Sequence, residues 1–317
     1  MRPERRIAGA PMLLGWAGVL AFSLTLPATR AAGPVFGALT LGIGRAVVAG
    51  ILATALLLVC RQPVLPPPDA RRRIGYVIAG VVIGFPLFTS VALLHVESGH
   101  GAVVTGLLPA ATAGVAVLRA GERPRPGYWV ALAVGLAAVV AFAVVGGAGR
   151  MRLGDVLLLA AVVVGGLGYA EGAVLARTHG GWRVICWALV VALPLTVPVT
   201  VIGLMTQPVG HVTGRAVAGL VYVSVVSMFL GFFAWYKALA LGGVAKIGSI
   251  QLAQPVLTLG WSAVLLGEHI TAASAVTAAV VLAVVFVGRK ARVDRVRPDG
   301  TTGPAAGDPR QPLSTES

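Results

Sequence analysis

Charge is what this sequence has least of. Asp, Glu, Lys and Arg together make up 11% of its 317 residues, against about 25% in a soluble domain. So few charges could not cover the surface of a globular chain this long. Cysteine is nearly absent as well. Cys60 and Cys186 are the only two, which excludes a disulfide framework, and both lie in or beside apolar runs where a thiol serves as packing. No GxxxxGK[ST] loop occurs, so ATP hydrolysis is not expected. No Ser/His/Asp spacing suggests an intramembrane hydrolase. Acidic residues are the scarcer sign, 11 against 25 basic, for a net charge of +14. In a soluble protein that balance would suggest nucleic acid, so its distribution along the chain has to be examined.

Apolar residues are abundant. They reach 57% before 42 Gly are counted, which excludes disorder, whose signature is low hydrophobicity. A bilayer core about 30 Å thick needs about 20 apolar residues in helix. Ten such runs occur: Pro11–Thr29, Phe36–Cys60, Ile74–Val96, Gly101–Leu118, Tyr128–Val145, Asp155–Ala176, Val184–Thr206, Ala216–Leu241, Val244–Leu266 and Thr271–Gly288. Strands would be shorter, and barrel strands would alternate, so the expected class is an all-α membrane protein. Arg2, Arg5 and Arg6 ahead of the first run resemble the start of a signal peptide, but the stretch after it is a poor cleavage site, and retention is expected.

Basic residues orient the spans. With the N-terminus inside, 20 of the 25 fall in inside segments. Four (Arg30, Arg150, Arg152, Arg215) fall outside, and Arg45 lies within a span. Both ends are therefore expected in the cytoplasm, and the positive balance becomes a matter of topology, with no nucleic acid as partner. Residues 1–10 form a short cytoplasmic lead. Residues 290–317 are basic, then Pro/Gly/Ser/Thr-rich, and are expected to be a disordered tail touching anionic lipid at the cytoplasmic face.

The spans repeat. Shifted by 146 residues, Pro109 falls on Pro255, Gly121 on Gly267 and Glu122 on Glu268, with the proline thirteen residues before the glutamate in both. Residues 11–146 and 147–289 are thus two units of five spans. An odd number of spans inserts the second unit in the opposite sense, an arrangement that recurs in secondary transporters with the solute site at the repeat interface. The Gly-Glu pair is expected to end a helix, with glycine in a left-handed cap.

Leu107–Pro124 (LLPAATAGVAVLRAGERP), Gln254–Thr271 (QPVLTLGWSAVLLGEHIT) and Phe233–Leu239 (FAWYKAL) resemble segments of the drug/metabolite transporter superfamily, in its branch of ten helices and two EamA repeats. Arg45 is similar to a common arginine of that family, whereas Ala120 stands where leucine is commoner. The resemblance covers about residues 10–290. It implies a ten-helix transporter with no cofactor, most often an exporter of amino acids or related metabolites.

Polar groups inside spans are costly and mark function. Gln251, Gln254, Thr258 and Trp261 share one face of the ninth span, and Pro255 frees the Gln251 carbonyl beside them. That face is the expected solute wall, with interhelical bonding as the alternative. Arg45 is a candidate charge on a solute path or counter-ion for an anionic solute, with a structural ion pair or the capping of carbonyls freed by a proline kink as alternatives. Glu171 is either a proton-coupling carboxylate or a partner of Arg177 or Arg45. Phe229 and Phe233 are candidate cavity aromatics, while Tyr222 and Tyr236 are expected in interfacial belts. The resemblance adds Trp16, Ser23 and Tyr169, on the first helix of each repeat, beside the central cavity. His95, Glu97 and His100 match no strong metal motif, and no metal is expected. The leading expectation is a non-enzymatic secondary transporter of a small solute, monomeric or homodimeric. The alternatives are an intramembrane enzyme acting on a lipid-linked substrate, which lacks paired acid/base groups, and a static receptor or scaffold, which has no need of inverted halves.

Overall fold

The computed structural model describes residues 3–120, 123–124, 126–146, 150–207, 209–243, 247–248, 250–290, 293–296 and 302–303. Among these, seven helices are long and apolar enough to cross a membrane: Ala10–Phe36, Ala38–Val59, Pro68–Ala92, Ser98–Leu118, Leu153–His179, Gly181–Thr206 and Gly214–Gly242. Three shorter apolar helices cover Ala133–Val145, Gln251–Leu266 and Ala272–Ala283. The seven stand at positions one to four and six to eight of the expected spans, the three at positions five, nine and ten. They are numbered in that order below.

Two boundaries differ for definable reasons. The first helix runs on to Phe36, through residues whose Arg30 and Pro34 suggest a loop. The Arg30 guanidinium donates to the Leu93 carbonyl at the end of the third helix, and the helix stops only at Gly37, with φ 77° and ψ 156°. That backbone region is open almost only to glycine, and the same residue starts the second helix. Gly180, with φ 84° and ψ 136°, makes the corresponding single-residue junction between the sixth and seventh helices. The third helix begins early, at Pro68 with Asp69 in its first turn, because both residues suit a helix N-terminus.

The third and eighth helices each contain a π-helical stretch, Ile78–Gly84 and Tyr222–Leu230. Glycine closes both. A Cβ on Gly84 would lie 2.5 Å from the Ala79 carbonyl oxygen, and one on Gly231 would lie 3.0 Å from that of Val226. Each is the carbonyl five residues back, the acceptor of a π turn, so the widened turn crowds the position that glycine leaves open.

Small residues let helices approach, as packing inside a membrane requires. Ala46, Ala49 and Ala53 of the second helix are fully buried along a seam with the seventh, where a Cβ on Gly50 would sit 2.7 Å from Leu193. The third and sixth helices come closer still. A Cβ on Gly80 would lie 2.2 Å from the Val164 oxygen and 2.8 Å from the Gly168 nitrogen.

The main helix pairings are unchanged when the two halves are exchanged. The first helix packs on the eighth and the sixth on the third. The first also packs on the ninth and the sixth on the fourth. The second pairs with the seventh, the fourth with the ninth and the fifth with the tenth. Beyond the helices, Arg123–Pro124, Val293–Val296 and Thr302–Gly303 form a small antiparallel sheet, with Arg123 opposite Asp294 and Arg295 opposite Gly303. Two short segments of the tail expected to lack order, Val293–Val296 and Thr302–Gly303, are thus paired as strands.

Candidate functional site

Three prolines interrupt helices at one place in the molecule. The first helix breaks at Leu24, between segments Pro3–Ser23 and Thr25–Phe36. Pro27 lacks an N–H, so the carbonyl four residues back, that of Ser23, has no helical partner. Thr258 of the ninth helix fills the vacancy, its Oγ1 donating to the Ser23 oxygen at 2.8 Å. Trp261 Nε1 donates to Ser23 Oγ at 3.1 Å, and Ser23 Oγ donates in turn to the Leu20 carbonyl at 2.8 Å. The ninth helix is broken as well: Gln251–Ala253 is a 3-10 turn, and regular helix resumes at Gln254 ahead of Pro255. The fourth helix breaks between Thr105 and Leu108, just before Pro109. The two last breaks face one another, since a Cβ on Gly106 would lie 3.2 Å from Pro255 Cγ.

The polar face of the ninth helix therefore divides in two. Thr258 and Trp261 are engaged by Ser23, so for them the interhelical alternative describes the geometry. Gln251 Nε2 and Gln254 Oε1, in contrast, are buried atoms with no hydrogen-bond partner among the described residues. An unpaired buried amide costs about 1–3 kcal/mol, and these two atoms offer one donor and one acceptor to a solute. Pro27 is the signal that sequence inspection passed over. It lies inside an apolar run, where a proline predicts a freed carbonyl as surely as Pro255 does.

The other candidates fall in separate neighbourhoods. Tyr169 is buried in an aromatic cluster, 5.7 Å from Phe232 and 6.2 Å from Phe22 between ring centroids. Phe229 packs against Phe233 in a tilted arrangement, 4.6 Å between centroids, and Phe233 faces Trp182 near the junction of the sixth and seventh helices. Trp16 is 42% exposed, away from the buried centre. Arg45 is 1% exposed. Its Nε donates to the Gly42 carbonyl at 3.4 Å, while Nη2 has no hydrogen-bond partner among the described residues. The second helix packs mainly on the third, seventh and eighth, which sets Arg45 apart from the ninth-helix face.

Glu171 forms its ion pair with Arg73 of the third helix, at 2.7 Å, whereas Arg177, the partner expected from sequence proximity, is exposed. The third helix starts earlier than hydropathy suggested, and its extra turn carries Arg73 to the sixth helix. His100 pairs with Asp155 at 2.5 Å, and its ring stacks on Phe142 at 4.7 Å. Tyr222 and Tyr236, expected in interfacial belts, are both hydrogen-bonded within the fold. Their hydroxyls donate to the carbonyls of Ala21 at 3.0 Å and Gly168 at 3.1 Å. Both phenols are held at helix–helix contacts, because those carbonyls belong to the glycine-rich or broken stretches of the first and sixth helices.

The Gly-Glu motif is structural. Gly267 ends its helix in the left-handed region, φ 69° and ψ 19°. Glu268 then accepts hydrogen bonds from the Ser98 and Gly99 backbone N–H groups at 3.0 and 2.8 Å, and from the Ser98 hydroxyl at 2.9 Å. It thereby caps the start of the fourth helix, where a carboxylate meets the positive end of the helix dipole. Its counterpart Glu122 lies outside the described residues.

Comparison with known proteins agrees with this architecture. The profile of the EamA-like transporter family matches twice, over residues 10–144 and 152–288. The chain is 47% identical over 282 residues to an uncharacterized transporter, YdeK, of Bacillus subtilis (strain 168), covering 88% of this chain and 96% of that protein. A solved crystal structure 20% identical in sequence shares the fold, with a TM-score of 0.63 over 88% of this chain and 96% of the other. With apolar helices along most of its length and both halves matched by one profile, this multi-pass membrane protein belongs to the EamA-like transporter family.

Proposed function

We propose that the protein is a secondary transporter that moves a small polar metabolite by alternating access, through ten helices arranged as two five-helix halves of opposite orientation. The observation that carries this reading is the set of helix pairings that survives exchange of the halves, with the proline breaks of the fourth and ninth helices in contact at its centre. A twofold in the membrane plane gives the two halves equivalent roles on opposite sides. Rocking one against the other then exchanges an inward-open for an outward-open state around a fixed site. Gln251 and Gln254 supply the hydrogen-bonding wall of that site. Following the family resemblance, the cargo is an amino acid or related metabolite moving outward across the cytoplasmic membrane, with both termini in the cytoplasm.

Thermal-shift screening of the purified protein against metabolites, followed by flux of the stabilising compound in proteoliposomes, tests the reading. Gln254→Ala should lower flux at unchanged expression and weaken the stabilisation. Wild-type flux and apparent affinity in that variant would remove Gln254 from the site. Failure of every stabilising compound to cross the bilayer would count against transport itself.

A further inference from the structure

A cavity opens away from the central breaks, at the end of the molecule where the sixth helix turns into the seventh. Its volume is about 740 Å³, within the range of about 300–1,000 Å³ for small-ligand pockets. The eighth helix supplies one wall. Leu230, Phe233, Ala234, Lys237 and Leu241 follow the spacing of a single helical face, so its apolar part leads to a terminal ammonium. Opposite stand Arg177, at the end of the sixth helix, and Trp182 of the seventh. The Trp182 and Phe233 rings meet edge to face at 6.5 Å. Among the described residues no carboxylate lines the cavity. Leu230 and Leu241 are 48% and 59% exposed, which leaves the apolar side open to the surroundings of a membrane-embedded helix.

We infer that this cavity binds an anionic phospholipid, with its phosphate between Arg177 and Lys237 and its acyl chains along Leu230 and Phe233. Charge and shape together select that occupant. Two cations with no acid beside them favour a phosphate, and basic pockets between membrane helices hold acidic headgroups. The lateral apolar opening suits a molecule that enters from the bilayer, and tryptophan is suited to the headgroup level. A zwitterionic lipid would bring its own ammonium towards the same two cations.

Native mass spectrometry of the detergent-solubilised full-length protein tests this, with phosphatidylglycerol and phosphatidylcholine of identical acyl chains as probes. Phosphatidylglycerol should bind the wild type in preference. The double variant Arg177→Gln/Lys237→Gln should bind it about thirtyfold more weakly, from about 1 kcal/mol per basic residue at about 1.4 kcal/mol per tenfold. The charge-matched control Arg71→Gln/Arg72→Gln, at exposed positions on the third helix, should keep wild-type affinity. Equal loss in both double variants would mean general attraction to basic surface and would overturn the inference. So would equal binding of the two lipids, or full competition by inorganic phosphate, which would make the site one for soluble anions.

Discussion

At the scale of the residue, two kinds of polar group that look alike in sequence have different positions in the fold. Thr258 and Gln254 lie four residues apart on one helix, yet Thr258 repairs a carbonyl freed by Pro27 while the Gln254 oxygen has no partner among the described residues. Thr258→Val should therefore act on stability, lowering it by about 0.6–2 kcal/mol, the range for interhelical hydrogen bonds in membranes. A lowered melting temperature in detergent with residual flux intact is the expected outcome, in contrast to the flux defect expected of Gln254→Ala. The polar stripe was legible from the spacing of Gln251, Gln254, Thr258 and Trp261. What each member touches was not, because that depends on a break in a helix more than 200 residues away. The same limit applies to Glu171. Its nearest cation along its own helix is Arg177, but Arg73 reaches it from the third helix at 2.7 Å.

At the scale of the element, glycines set how closely the halves join. The third and sixth helices meet through Gly80 and Gly168, where any Cβ at position 80 would overlap backbone atoms of its neighbour. Backbone cannot move aside as a flexible side chain can. Gly80→Ala should cost at least the 1–3 kcal/mol typical of overpacking, read as a lower melting temperature or loss of monodisperse protein. Ala substitution at Gly75, which has open space around it, is the expected neutral control. The π-helical stretches were not legible. Hydropathy registers the length and polarity of a span, whereas a π turn follows from local crowding that appears only once Gly84 and Gly231 are placed against the carbonyls behind them. The Pro109/Pro255 correspondence, in contrast, was readable from spacing alone, because a proline leaves the carbonyl four residues back without its helical donor.

At the scale of the whole molecule, two side-chain pairs join the halves near opposite ends of the sixth helix. Asp155 holds His100 of the fourth helix and Glu171 holds Arg73 of the third. Sixteen residues of helix separate these carboxylates by about 24 Å, so one pair stands near each membrane surface in the proposed arrangement. Opening either side would part the pair on that side. Arg73→Gln and His100→Gln should then shift the resting state in opposite directions, seen as opposite changes in the side from which a cysteine at position 254 is alkylated. Matching changes in both variants would reduce the pairs to general stabilisers.

The opposed insertion of the two halves underlies this whole mechanism, and accessibility labelling tests it most directly. In a cysteine-free background, with Cys60 and Cys186 replaced, single cysteines are placed at Arg123, after the fourth helix, and at His269, after the ninth. A membrane-impermeant maleimide is then applied to intact cells. The expected result is that His269→Cys labels at once and Arg123→Cys labels only after permeabilisation. Labelling of both from the same side would contradict the inverted arrangement, and with it alternating access by exchange of equivalent halves.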